Sequence, residues 1–158
     1  MFLYYIPRTF RKSLPSALTM KHKILIVDDD DIALFLHSTL LIDCGAIYEP
    51  ETFNSASAAI SYLEEPVSRD NQYLIFLDIN MPEMNGWGFL EKLKGHPLQN
   101  NIQVVMVTSS TESSEKKKAL DIRLVKDFLI KPLKEQDLYD LQAVQNIDSF
   151  FNKGDNLA

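Results

Sequence analysis

Four short apolar runs constrain this chain most, because each run ends in polar residues that can take part in chemistry. The runs are residues 24–27 before Asp28 and Asp29, 74–77 before Asp78, 104–107 before Thr108, and 128–130 before Lys131. A short apolar run bounded by polar residues is typical of a buried parallel strand. If all four runs belong to one parallel sheet, five reactive groups meet at a single edge.

Length and charge fit one globular domain. The chain has 158 residues, of which 46% are hydrophobic, and this is enough for a substantial core. The first twenty residues hold three bases and no acid, so the rest of the chain carries a net charge of −9, against −6 for the whole. An acidic body argues against nonspecific binding to nucleic acid.

Two features bear on the compartment and on the domain boundaries. The single cysteine, Cys44, excludes an intrachain disulfide framework, and we expect a cytoplasmic protein. The apolar stretch at residues 2–6 is too short to span a membrane and follows no basic residue, which argues against a membrane helix or a secretory signal. We interpret residues 1–20 as a flexible extension, 21–151 as the domain and 152–158 as a tail.

Strand-like and helical patterns alternate from residue 23 onward. Strands are predicted at residues 24–27, 46–52, 73–77, 102–107 and 125–130, and helices at 32–42, 55–63, 86–93, 113–120 and 133–150. Gly45 suits the end of the first helix, and Asn54 or Ser55 suits the start of the second. Apolar residues spaced by three, from Leu138 to Ile147, predict one buried face of the last helix.

This alternation predicts an α/β fold, a doubly wound five-stranded parallel sheet with helices on both faces. Crossover connections between parallel strands are right-handed, and they bring the carboxyl ends of the strands to one edge. Open sheets of this kind bind their ligands at that edge. The sequence therefore predicts that Asp28, Asp29, Asp78, Thr108 and Lys131 lie within reach of one another.

The chemistry of this group favours a magnesium ion and a phosphoryl group. A nucleotide site of the glycine-rich type is disfavoured, because the first strand runs directly into four aspartates. Magnesium prefers oxygen ligands and keeps several waters beside one or two carboxylates. Asp78 is the best candidate nucleophile, since metal and lysine neutralise the incoming charge. The Thr108 hydroxyl and the Lys131 ammonium suit phosphoryl oxygens.

Four motifs together resemble the receiver domains of two-component response regulators. They are VDDD at 27–30, LDINMPEMNG at 77–86, VTSS at 107–110 and FLIKPL at 128–133. Their order and separation are similar to the family pattern over about residues 22–150. The resemblance implies a flavodoxin-like sheet with strand order 2-1-3-4-5.

The resemblance also implies roles for seven residues. Asp78 would be the phosphoacceptor, and Asp28, Asp29, Asp78 and the Asn80 backbone carbonyl would hold Mg²⁺, with Asp28 acting mainly through a bound water. Thr108 would follow the phosphoryl group, and Lys131 would pair with it. Phe128 would be the aromatic switch residue, without a hydroxyl. The Lys131–Pro132 peptide bond would be cis, an isomer that bonds before proline permit.

As a stand-alone receiver, the chain would take its phosphoryl group from a histidine kinase or a phosphotransfer protein. It would signal through an unidentified protein partner, without direct contact to nucleic acid or membrane. The surface of the fourth helix, fifth strand and fifth helix would change its partner preference, and it would also serve for a homodimer. We expect no enzymatic turnover beyond assistance to its own phosphorylation and dephosphorylation.

Two alternatives stay open on the sequence. One is a phosphatase with an aspartyl intermediate, which needs an acid two residues after the nucleophile, where this chain has Asn80. The other is an interaction module that keeps the acidic pocket without using it.

Other residues receive simpler interpretations. Asp30 and Asp31 are interpreted as loop and helix-start acids, and His37 as a surface or packing residue. Trp87 is interpreted as local packing. The run of lysines at residues 116–118 is interpreted as a solvated helix face that could also dock an acidic partner.

Overall fold

The computed structural model describes residues 21–66 and 69–152. The predicted extension at residues 1–20 lies outside these residues, and so does the tail beyond Asn152. The proposed domain limits therefore stay predictions.

Five strands and five helices alternate along the described residues. The strands are β1 (His22–Val27), β2 (Glu51–Phe53), β3 (Gln72–Asp78), β4 (Ile102–Thr108) and β5 (Val125–Ile130). The helices are α1 (Asp31–Asp43), α2 (Ala56–Glu64), α3 (Gly86–Leu93), α4 (Ser113–Leu120) and α5 (Glu135–Gln142). Short 3-10 helices cover Gln99–Asn101 and Asp148–Phe150.

All strand pairs are parallel, and the sheet order is β2-β1-β3-β4-β5. Both the predicted fold class and the predicted strand order are confirmed. β3 lies in the middle and is buried from residue 73 to 78. A strand covered on both faces needs a continuous apolar run rather than an alternating one, which explains the sequence of β3.

Side chains alternate between two core layers along each strand. In β1, Leu25 and Val27 pack on the layer formed with α2 and α3, whereas Ile24 and Ile26 pack on the layer formed with α1 and α5. Successive residues of a strand point to opposite faces, so one run of β1 supplies both layers. The sheet is therefore doubly wound, as predicted.

The second strand is shorter than predicted. It covers Glu51–Phe53, whereas residue 50 is a proline without a donor N–H. Ala46 instead forms an isolated antiparallel bridge with Phe151, and the Ile47 N–H donates to the Phe150 carbonyl at 3.1 Å. The C-terminal segment thus takes the hydrogen bonds that a longer β2 would have used.

The last helix is also shorter than predicted, since α5 ends at Gln142 rather than near residue 150. The N–H groups of Val144, Ile147 and Phe150 each donate to the carbonyl three residues earlier, as in tight turns. A strict spacing of three matches such turns better than the 3.6-residue period of an α-helix. Leu138, Leu141 and Ile147 are nevertheless fully buried, so the predicted apolar face is right.

Two caps fix the neighbouring helices. Gly45 adopts φ +96° just after α1, the left-handed conformation that glycine tolerates best. The Ser55 hydroxyl accepts a hydrogen bond from the Ala58 N–H at 3.2 Å, so Ser55 rather than Asn54 caps α2.

No helix in the described part of the chain combines the length and the apolar character that a membrane span requires.

Candidate functional site

The carboxyl ends of four strands bring the predicted reactive residues to one edge. Asp28 follows β1, Asp78 ends β3, Thr108 ends β4 and Lys131 follows β5. Asp28, Asp78 and Thr108 are only 2%, 5% and 0% exposed. Acidic residues are almost never buried to this degree without partners. The edge is therefore a polar site built into the core.

Three carboxylates form a group that could hold a metal ion. Asp28, Asp29 and Asp78 each offer one oxygen, and these oxygens lie within 4.8 Å of one another. Asp29 is exposed while the other two are buried, which leaves one side of the group open to water. Hard carboxylate oxygens beside water are the ligands that Mg²⁺ prefers, so the residues fit this ion.

Asn80 lies next to this group, and its side chain is exposed. Its backbone N–H donates to the Asp78 carboxylate, and this bond acts to lower the pKa of Asp78. The predicted role of its carbonyl oxygen stays a prediction.

Lys131 bridges the two buried acids. Its Nζ lies 2.6 Å from Asp28 Oδ2 and 3.4 Å from Asp78 Oδ1. Burial acts to lower the pKa of Lys131, but the hydrogen bond to Asp28 and the charges of both acids outweigh it, so the pKa is raised. The ammonium therefore stays charged at neutral pH.

The surroundings of Asp78 disfavour its anionic form. Its burial, followed by the negative charge of Asp28, raises the pKa of Asp78 above its usual value, and Lys131 offsets only part of this. One ammonium cannot neutralise two buried carboxylates. The site therefore favours a further cation.

The loop after β1 fixes Asp28 and starts α1. The Asp30 N–H donates to Asp28 Oδ1 at 3.0 Å, while Asp30 Oδ1 accepts from the Ile32 N–H at 2.9 Å. Asp30 is thus the N-cap of α1 and Asp31 lies in its first turn, as interpreted from the sequence.

Thr108 joins the site to the loop that leads into α4. Its hydroxyl oxygen accepts a hydrogen bond from the Ser110 N–H at 3.1 Å. Its carbonyl accepts from the Lys131 N–H at 2.8 Å, which holds the ends of β4 and β5 together. A change in the hydrogen bonding of the Thr108 hydroxyl would therefore first affect the loop that leads into α4.

Phe128 lies inside the core rather than at the site. It is 4% exposed and pairs with Met106 in the register of β4 and β5. Its predicted switching role stays a prediction. The Lys131–Pro132 peptide bond is cis, as the resemblance implied.

Sequence reasoning missed the part that Gly86 plays. A Cβ at this position would lie 2.6 Å from the carbonyl oxygen of Asp78, and the Gly86 N–H donates to the Ile79 carbonyl at 2.8 Å. Helix α3 therefore begins directly against the backbone that carries Asp78. The available signal was the Asn85-Gly86 pair, in which Asn85 caps the helix through the Gly88 N–H at 2.9 Å.

His37 is a packing residue, one of the two interpretations offered by the sequence. It is 5% exposed on the inner face of α1. Burial lowers the pKa of His37, the charges of Asp28 and Asp30 oppose this, and that of Lys131 adds to it. The imidazole is therefore neutral at pH 7 and contributes no charge to the site.

Known proteins share this fold and this sequence pattern. The family described as response regulator receiver domain matches residues 24–143. The two-component response regulator ORR23 of Oryza sativa subsp. indica is 33% identical over 119 residues, which cover 75% of this chain. This chain spans only 16% of the length of that relative.

Solved structures match over most of their own length. A two-component response regulator from Cytophaga hutchinsonii is 31% identical with a TM-score of 0.69, covering 77% of this chain and 92% of that one. A response regulator receiver protein from Dyadobacter fermentans is 30% identical with a TM-score of 0.68, covering 77% and 94%.

The close approach of Gly86 makes a stability prediction. Gly86→Ala is expected to lower the free energy of unfolding by about 1–3 kcal/mol, because backbone atoms of β3 must move to admit the methyl group. Gly88→Ala is the matched control in the same helix, since its Cβ would meet only side-chain atoms, Met84 Cγ at 3.1 Å and Asn85 Oδ1 at 3.7 Å. It should be neutral, or stabilising by up to about 1 kcal/mol through helix propensity. Urea unfolding measures both, and equal effects would contradict the account.

The charge balance makes a pH prediction. Without magnesium at neutral pH, Asp78→Asn is expected to raise the free energy of unfolding by about 1 kcal/mol, because it removes a buried charge. The folded-state pKa of Asp78 is raised, so the ionised form destabilises the fold. The advantage of the variant should therefore shrink as the pH falls through that pKa towards the usual carboxyl value.

Urea unfolding across a pH series tests this. Asp140→Asn, at an exposed position on α5, is the control, because it makes the same substitution without removing a buried charge. A less stable Asp78→Asn at neutral pH would show that Asp78 is not destabilising as an anion.

Proposed function

This chain belongs to the family of response regulator receiver domains, and from that membership we propose that it is a phosphorylation switch with Asp78 as phosphoacceptor. The observation that carries the proposal is the buried Asp78, which has the Lys131 ammonium 3.4 Å from Oδ1 and two further carboxylates beside it. Nucleophile, counter-charge and metal ligands thus lie together before any phosphoryl group arrives.

The proposed transfer uses groups that are already in place. An oxygen of Asp78 forms the new bond to phosphorus while the bond from phosphorus to the donor's leaving group breaks, and the leaving group keeps that electron pair. Mg²⁺, held by Asp28, Asp29, Asp78 and the Asn80 carbonyl, would supply positive charge to the phosphoryl oxygens. Lys131 is shared between two acids at rest, and it pairs with the phosphoryl group afterwards.

Thr108 would carry the signal away from the site. Its hydroxyl donates a hydrogen bond to a phosphoryl oxygen, and the turn that this requires moves the oxygen that accepts from the Ser110 N–H. Phe128 would follow by repacking, since it has no hydroxyl to form a hydrogen bond of its own.

The partners proposed are a histidine kinase or phosphotransfer protein as donor and a protein as downstream target. The surface of α4, β5 and α5 would bind that target or a second copy of this chain, without direct contact to nucleic acid. We propose a cytoplasmic location. The relatives from rice are much longer, so their further activities are not carried over.

Labelling tests the phosphoacceptor. Incubated with acetyl phosphate and magnesium, the wild type should gain one phosphoryl group by intact mass, and Asp78→Asn should gain none. Lys131→Gln should slow the labelling on the order of a hundredfold, because it removes the positive charge that stabilises the transferring group. Asp140→Asn, which removes an exposed acid, should label like the wild type.

Failure of the wild type to gain mass while an established receiver does so under the same conditions would refute the proposal. Turnover of a generic phosphate ester that depends on Asp78 would favour the phosphatase alternative. Partner binding that ignores Asp78→Ala and magnesium removal would favour the interaction module.

Metal binding has a separate test that needs no phosphoryl donor. Magnesium at a hundred times its dissociation constant should raise the free energy of unfolding by about 2.7 kcal/mol, because only the folded chain assembles the three carboxylates. Asp29→Asn should lose most of this gain, whereas Asp43→Asn, an exposed acid at the end of α1, should keep it. Urea unfolding with and without magnesium measures the gain, and an equal gain in both variants would contradict the assigned ligands.

A further inference from the structure

Helix α4 is held by unusually little apolar packing. It buries one side chain, Ala119, whereas each of the other four helices buries at least two residues. Burial of apolar surface is the main force that fixes a helix on a sheet. The position of α4 must therefore depend more on polar contacts than the positions of its neighbours do.

The amino-terminal end of α4 is tied to the site by two hydrogen bonds. The Ser110 N–H donates to the Thr108 hydroxyl at 3.1 Å, and the Glu112 N–H donates to the Ser110 hydroxyl at 3.3 Å. Glu112 is the N-cap residue and makes no side-chain capping bond of its own. The start of α4 is thus held through Thr108.

The other end of α4 is tied to α3. The Nζ of Lys118 lies 4.0 Å from the centroid of the Trp87 ring, at the distance of a cation–π contact. Trp87 follows Gly86, which is pressed against the backbone of Asp78. The ring therefore belongs to the first turn of the helix that begins against the backbone of the proposed phosphoacceptor.

The resting position of α4 also has an unfavourable feature. The Oε2 atom of Glu115 is buried, and it has no hydrogen-bond partner among residues 21–66 and 69–152. An unpaired buried carboxylate oxygen destabilises the arrangement that contains it. The contacts at the two ends of α4 therefore hold the helix in place against this cost.

We propose that Lys118 and Trp87 are positioning residues that hold α4 in its resting place and so set how readily Asp78 accepts a phosphoryl group. This inference rests on the proposed function. Once the Thr108 hydroxyl turns to a phosphoryl oxygen, the tie at the start of α4 is weakened, and α4 leaves its resting place only as the Lys118–Trp87 contact breaks. Because coupling between two sites is reciprocal, loosening α4 must favour the phosphorylated state.

The neighbouring residue Lys117 provides a matched control for Lys118. Lys117 lies on the same helix and is exposed like Lys118, but in the described part of the chain only Lys118 of the pair stacks on a ring. Lys118→Gln and Lys117→Gln therefore remove the same charge, and only the first removes the contact. Lys118→Arg keeps a cation over the ring and should restore wild-type behaviour.

Amide hydrogen exchange of the unphosphorylated chain is the first measurement. Exchange in residues 113–120 should be about two- to fivefold faster in Lys118→Gln than in wild type, the range expected for an exposed cation–π contact. Lys117→Gln and Lys118→Arg should match the wild type. Trp87→Phe should lie between, because phenylalanine keeps a weaker ring. Equal exchange in Lys118→Gln and Lys117→Gln overturns the inference, even if both chains accept phosphoryl groups normally.

The rate of labelling by acetyl phosphate with magnesium is the second measurement. Lys118→Gln should label about two- to fivefold faster than wild type, because a larger fraction of its chains has α4 outside the resting place before the donor arrives, and Lys118→Arg and Lys117→Gln should not. A faster exchange without faster labelling would overturn the link from α4 to Asp78. If neither the wild type nor any variant gains a phosphoryl group, the proposed function fails. That failure can be distinguished from a failure of this inference, because the exchange measurement needs no phosphoryl group.

Discussion

One interaction organises the site: the Lys131 ammonium between the buried carboxylates of Asp28 and Asp78. Two like charges at such a distance in the core would otherwise repel each other and resist burial. The Lys131 ammonium stabilises the two buried carboxylates, but its single positive charge balances only one of their two negative charges. This shortfall is the physical reason to expect a magnesium ion, which would place two cations beside the proposed phosphoacceptor.

The sheet makes this interaction possible. The three residues lie at the carboxyl ends of three different strands, and they meet because parallel strands with right-handed crossovers present all these ends at one edge. This much was readable from the sequence, since each apolar run stops where a reactive residue begins. The lengths of β2 and α5 were harder to predict, and both elements are shorter than predicted. The chain after α5 continues as tight turns, and its last residues form hydrogen bonds with the backbone near Ala46. Pairing between residues so far apart in the chain produces no recognisable pattern in the sequence around either of them.

Gly86 and Trp87 show a second limit of sequence reasoning. A glycine required by close approach to a distant backbone resembles any helix-start glycine until the fold is known. The ring of Trp87 was interpreted as local packing, but it also forms a cation–π contact with Lys118 of the next helix. Two sets of contacts therefore reach α4, one from the Thr108 hydroxyl and the other from Trp87 at the start of α3. A helix with so little buried apolar surface is well suited to respond to either.

The most direct measurement of the central claim identifies the residue that carries the phosphoryl group. Borohydride reduces an aspartyl phosphate to homoserine, so peptide mapping after treatment with acetyl phosphate, magnesium and borohydride reads the position itself. The account predicts homoserine at position 78 and at no other aspartate, with none formed when magnesium is chelated. Homoserine at Asp28 or Asp29 instead, or aspartate unchanged at position 78 in a chain that has gained a phosphoryl group, would contradict it.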